Sequence, residues 1–153
     1  MIKYFKGDVL TSDADVILHQ VNCKGVMGAG LALQIKKKYP KVFSDYCLLC
    51  SHASPSSSLL GSVLFVPVRT DQSIGNLFAQ DGFASYGIGL YCLTQYDKLR
   101  ECMKIINERY KGKTVALPHK LGCGLAGGNW DIVLEIIKEE LKDCNVEIWD
   151  FDK

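Results

Sequence analysis

Asn22-Cys23-Lys24-Gly25-Val26-Met27-Gly28-Ala29-Gly30 stands between an apolar run at residues 16 to 21 and a stripe of small and apolar residues at 28, 31, 32, 35 and 39. The run has the length and bounding of a strand and the stripe has helical spacing, so the stretch predicts a strand, a glycine-rich turn and a helix, in that order. Glycine lets the backbone come close to a ligand, and a helix starting just afterwards offers unpaired N–H groups and the positive end of its dipole to an anion. Gly122-Cys123-Gly124-Leu125-Ala126-Gly127-Gly128 repeats the arrangement between a run at 114 to 118 and a helical pattern near Trp130. Two such turns would hold a diphosphate between them. A pair of ordinary turns is the plainer alternative.

Further apolar runs bounded by turn residues predict strands at 2 to 6, 62 to 67, 74 to 79 and 145 to 150. Pro40 breaks the first helical stripe, and a second helix is expected from about 41 to 50. The Ser- and Pro-rich residues 51 to 58 read as a surface connection. Thr94 and Asp97 have capping-box spacing ahead of Tyr96, Leu99, Met103, Ile106 and Tyr110, which repeat at helical intervals. Asn129 suits the cap of a last helix whose core stripe is Trp130, Val133, Leu134, Ile137 and Leu141. Strands alternating with helices imply a three-layer α/β/α domain around a mixed, mostly parallel six-stranded sheet. Ligands of such sheets bind beyond the carboxyl ends of the strands, where both glycine turns fall.

A length of 153 residues, 48% of them hydrophobic, suits one domain over residues 1–153. Lys and Arg total 18 against 17 Asp and Glu, a formal charge of +1, so non-specific nucleic-acid binding is not expected. No apolar stretch approaches the roughly 20 residues that span a bilayer, and Met1-Ile2-Lys3-Tyr4-Phe5-Lys6-Gly7-Asp8 lacks the apolar core of a signal peptide. A cytoplasmic monomer without a membrane partner is the expectation. Seven scattered cysteines suit a reducing compartment. Cys47, Cys50 and His52 have the look of zinc ligands, but no second Cys-x-x-Cys accompanies them and helical thiols are the better reading; no metal is expected.

Gly122 to Gly127 fits the dinucleotide fingerprint G-x-G-x-x-G, with Asp143, Glu147 or Asp150 downstream as the ribose acid. That fingerprint begins at the end of a first strand, whereas His119, Lys120 and Leu121 intervene here after Pro118. No G-x-x-x-x-G-K-[ST] occurs, so a P-loop is excluded.

Four segments together resemble the macrodomain, an ADP-ribose-binding α/β/α module: Phe5-Lys6-Gly7-Asp8, Leu18-His19-Gln20-Val21-Asn22 running into Gly25 to Ala32, Asn76-Leu77-Phe78-Ala79-Gln80-Asp81-Gly82, and Leu117-Pro118 leading to Gly122-Cys123-Gly124-Leu125. They cover almost the whole chain. Within the family the chain looks most like the branch of terminal ADP-ribose glycohydrolases, DNA-ADP-ribose antitoxins and the yeast-type ADP-ribose-1''-phosphate phosphatase. The resemblance implies binding of ADP-ribose, with no cofactor, and hydrolysis of an ADP-ribose derivative at the distal ribose, of de-ADP-ribosylation or ADP-ribose-1''-phosphate phosphatase type. A non-catalytic ADP-ribose reader is the alternative.

By the same resemblance Asp8, with Val9 beside it, would take the adenine amino group, although Asp8 equally suits a turn cap. Gly28, Ala29 and Gly30, facing Gly122, Cys123, Gly124 and Leu125, would present backbone N–H groups to the two phosphates. Asn22 would bind the distal ribose, and Phe151 matches an aromatic residue that packs on adenine, with Trp149 two residues earlier. The branch's lysine and acid are missing: Gln80 stands about where the lysine would be, within the ligand-binding set, and Ala126 where the acid would be. His19, Asn22 and Asp81 are left as catalytic candidates. An imidazole moves protons near neutrality, but a histidine late in a central strand also suits a hydrogen-bonded core position. Asp81 would position water or simply make a turn, and it opens a loop at 82 to 91 that would lie over the ligand. Cys123 with His119 makes a nucleophile and base on paper, against the stronger backbone-phosphate role of their loop.

Overall fold

The computed structural model describes residues 1–83 and 92–151. Its elements are β1 (Ile2–Lys6), β2 (Val16–Val21), α1 (Gly30–Lys38), α2 (Pro40–His52), β3 (Val63–Arg69), β4 (Gln72–Phe78), α3 (Tyr96–Arg109), β5 (Thr114–Pro118), α4 (Trp130–Glu140) and β6 (Asn145–Asp150). The six strands form one sheet in the order β1-β6-β5-β2-β4-β3, parallel throughout except for the antiparallel β3–β4 pair. The mixed, mostly parallel sheet expected from the alternation is therefore present. No helix among the described residues is long and apolar enough to cross a membrane.

Alternation along the strands builds a core on each face. Val16 and Leu18 of β2, Val115 and Leu117 of β5, and Val146 and Ile148 of β6 face α3 and α4, where they meet Leu99, Met103, Ile106, Val133 and Ile137. Ile17, Val21, Ile74, Phe78 and Ala116 face the other way, onto Ile35, Val42 and Tyr46 of α1 and α2. Parallel strands covered on both faces read as apolar runs, which is why residues 16 to 21 and 114 to 118 stood out. His19 and Gln20 interrupt the run in β2, and both line the cleft described below.

The helix ends depart from expectation at two places. Pro40 occupies the first turn of α2, where its fixed φ and missing N–H cost nothing, so it starts one helix as well as ending another. Thr94 does not cap α3: the cap position is Gln95, with no side-chain bond, and Thr94 is buried with its hydroxyl donated to the Gly122 carbonyl at 2.6 Å. The capping-box spacing was coincidental, because tertiary contact with the second glycine turn claims that hydroxyl. Asn129 does cap α4, accepting from the Asp131 amide at 2.9 Å.

Candidate functional site

From β2 the chain passes outward to β3 and β4, whereas from β5 it passes the other way to β6. Loops leaving adjacent strands in opposite directions open a crevice at the strands' carboxyl ends. The β2–β5 register covers only Val16↔Val115 and Ile17↔Ala116, so the crevice begins where that pairing stops. It is a cleft of about 650 Å³ whose walls are the two glycine turns and whose floor includes His19, Gln20, Asn22, Gln80 and Pro118. Gly28, Ala29 and Gly30 line one side, and Gly122, Gly124 and Leu125 the other.

The first turn is held by Asn22. Its Oδ1 accepts from the Lys24 amide at 2.9 Å and lies 2.7 Å from the Tyr46 hydroxyl, while its Nδ2 donates to the Val26 carbonyl at 2.8 Å. Much of the Asn22 amide is therefore spent on shaping the loop, and Tyr46, fully buried on α2, is the post against which it leans. Beyond this loop α1 begins without a side-chain cap: Ala29 precedes it and has none to offer. The first-turn N–H groups of α1, unlike those of the capped α4, lie open beside the cleft, the situation that favours an anion.

The second turn is closed on itself. Gly128 N–H donates to Gly122 O at 2.9 Å, and a Cβ at Gly128 would come within 2.5 Å of that same oxygen. Gly122 has φ 72°, and a side chain there would meet Gln20 Oε1 at 2.7 Å. Below the turn Gln20 Nε2 donates to Thr94 Oγ1 at 2.9 Å and to Gln80 Oε1 at 2.7 Å, and Gln80 Nε2 donates on to Gly82 O at 2.8 Å. Sequence reading missed the roles of Gln20, Thr94 and Tyr46. For Gln20 there was a signal, a polar residue inside a strand otherwise buried on both faces.

His19 is fully enclosed. Its Nε2 meets Asn76 Oδ1 across the register pair His19↔Asn76, and Asn76 in turn donates Nδ2 to the Leu64 carbonyl at 2.9 Å. That donation fixes the Asn76 oxygen towards His19, so Nε2 carries the proton and Nδ1 is left as a bare acceptor. His19 Nδ1 has no partner. Burial, partly offset by the Asn76 bond, pulls the His19 pKa down to about 4, so the ring is neutral at physiological pH.

The remaining candidates lie outside the cleft lining. Asp8 caps the short turn at Val9–Thr11 through a 2.9 Å bond from the Leu10 amide, and Val9 is buried in the core beneath α1 and α2. Asp81 lies 3.3 Å from Lys24 Nζ, with Ser56 Oγ donating to the same carboxylate oxygen at 3.4 Å. Cys123 donates its thiol to Leu121 O at 3.3 Å, and burial raises its pKa to about 11, which keeps it protonated and unsuited to attack. Phe151 is exposed past the end of β6, while Trp149 stacks on Phe5 with ring centroids 4.8 Å apart. Most of the loop expected at 82 to 91 lies outside the described residues. Cys47 and Cys50 are half-buried on α2, and no group of three metal-ligating side chains is assembled among the described residues.

No family model matches the chain. Over 170 residues it is 28% identical to an ADP-ribose 1''-phosphate phosphatase of Debaryomyces hansenii, covering 91% of this chain and 93% of that protein. A DNA ADP-ribosyl glycohydrolase of Mycobacterium tuberculosis is 48% identical over 50 residues, 33% of this chain but only 14% of the relative. Among solved structures the macrodomain of Mycobacterium tuberculosis DarG superposes with a TM-score of 0.73 at 27% identity, covering 97% of both chains. The strand order, the two glycine turns at the β2–β5 crevice and these full-length likenesses agree: the chain has the macrodomain fold and is similar along its length to proteins of that family.

Proposed function

We propose that the cleft binds ADP-ribose and that the protein hydrolyses an ADP-ribose derivative at its distal ribose. The observation that carries this reading is the pair of opposed walls: the uncapped start of α1 on one side and the second glycine turn on the other, both lining a single cleft. The likeness to an ADP-ribose 1''-phosphate phosphatase along nearly the full length of both chains supports it. Asp8 and Val9 mark the adenine end beyond β1, with Phe151 at the neighbouring end of β6. Asn22 and Gln80 mark the distal end beside β2 and β4.

In the reaction water adds to the phosphorus or to C1'', and the departing oxygen takes up a proton. His19 is the group suited to receiving water's proton, since its ring lines the cleft and its Nδ1 is an unprotonated acceptor without a partner, closed off from solvent until the ligand brings water to it. Asp81 acts from the distal edge, where it holds Lys24 and can orient water once the ligand is in place. Gln80 and Ala126, standing in for the lysine and acid of better-understood glycohydrolases, favour a second reading, a module that binds ADP-ribose without turning anything over. One domain, monomeric and cytoplasmic, completes the proposal; seven unpaired thiols suit that compartment.

A panel of ADP-ribose-1''-phosphate, O-acetyl-ADP-ribose and ADP-ribose esterified to protein or nucleic acid separates the two readings. Turnover of at least one member is expected, reduced by about 100-fold in His19→Gln, the order of a lost general base. Asp81→Ala should lower turnover by a smaller factor. Tight product binding with no turnover of any member would establish the reader, and turnover indifferent to both substitutions would remove these residues from the chemistry.

A further inference from the structure

We infer that Lys120 is a ligand-binding residue whose ammonium takes an oxygen of the ligand's diphosphate. The inference rests on the proposed function and adds a charged group to a site otherwise built from backbone amides.

Two independent observations lead to it. Lys120 has φ 65°, the one non-glycine residue with positive φ among those described; the other seven such positions are all glycine. Left-handed backbone is unfavourable for a residue with a Cβ, and glycine would occupy it without strain. The conformation is imposed by the turn, since Leu121 N–H donates to Pro118 O at 3.2 Å and Cys123 N–H to Lys120 O at 2.9 Å. Nothing in the backbone calls for a lysine here, so its side chain is what the position provides. Strained positions of this kind cluster at ligand clamps.

The second observation is electrostatic. Among the described residues that line the cleft there is no aspartate, glutamate or arginine, and Lys120 supplies the only ammonium. A dianionic diphosphate between two walls of neutral amides lacks a counter-charge unless this one is used. The ammonium is within electrostatic reach of the second glycine turn, because it pulls the Cys123 thiol pKa down against the larger upward push of burial. His119 next to it is otherwise engaged, edge-on to Trp130 with centroids 5.0 Å apart and 3.8 Å from the Asp150 carboxylate.

Sheet order decides which phosphate Lys120 serves. It follows β5, which β2 separates from β4, whereas the distal-ribose end proposed above would lie past β4, where Gln80 and Phe83 line the cleft. A 1''-phosphate on the distal ribose is therefore on the far side, and the diphosphate is the near anion.

Calorimetric titration of the wild-type protein, Lys120→Met, Lys120→Gly and Lys120→Arg with ADP-ribose and with ADP-ribose-1''-phosphate, each at low and high salt, tests this. Lys120→Met and Lys120→Gly should weaken both ligands about five- to tenfold at low salt and flatten the salt dependence, while Lys120→Arg stays near wild type. Thermal melting should move the other way for glycine alone: Lys120→Gly relieves the left-handed strain and melts higher by roughly 2 °C or more. Wild-type affinity in Lys120→Met overturns the inference and leaves the proposed function standing, as does a loss confined to ADP-ribose-1''-phosphate. No heat from either ligand with wild-type protein overturns the functional reading, and the role of Lys120 with it.

Discussion

Gly124→Val is expected to weaken ADP-ribose binding by roughly 100-fold or more, about 3 kcal/mol, while the protein stays folded. Gly124 is exposed and lines the cleft, and a Cβ built on it meets no heavy atom within 4 Å. The folded protein therefore has room for the side chain. The ligand does not, because a branched side chain would stand where the diphosphate approaches the backbone and would stiffen a turn whose amides must face it. Calorimetry reports the loss, and an unchanged melting temperature assigns it to the site. Gly128 makes the contrast, since a Cβ there meets the Gly122 carbonyl oxygen at 2.5 Å and the fold itself would suffer. Wild-type affinity in Gly124→Val would take the second turn out of the site.

The second large effect is on stability. His19 has its pKa lowered from 6.5 to about 4 by burial, so between those values the unfolded chain binds a proton that the folded chain does not. Its contribution is fully present above the unfolded value and is lost as pH falls towards 4, a total of about 3 kcal/mol. Carboxylates titrate in the same window, so the informative quantity is wild type minus His19→Gln, in which those groups cancel. Denaturant unfolding at a series of pH values should show this difference falling from pH 7 to pH 4 and flat above pH 7. A difference that does not change with pH would mean that His19 is hydrated in the folded state, which would also undo its neutral, single-tautomer role in the cleft.

The central strands β2 and β5 were legible because both faces of the sheet are covered there, so each reads as an apolar run, and α1, α3 and α4 because their stripes keep helical spacing. The two glycine turns located the cleft for the same reason that they build it. The polar supports were not legible. Thr94 has the spacing of a cap and serves the second turn instead, a choice made by Gln20 and Gly122 from other parts of the chain. Tyr46 looked like one more residue of a helix, yet its hydroxyl fixes Asn22. Asp8 shows the reverse: its cap was foreseen as an alternative and is what the carboxylate does in the absence of ligand contacts. Lys120 gave no sign at all, because a backbone torsion is not written in any single residue type.

Isothermal titration of the wild-type protein with ADP-ribose, alongside NADH and ATP, decides whether the cleft is an ADP-ribose site. Saturable one-to-one binding of ADP-ribose is expected, with NADH and ATP far weaker because neither suits both ends of the cleft. No heat with ADP-ribose at high micromolar protein, or saturable binding of NADH in its place, would contradict the account.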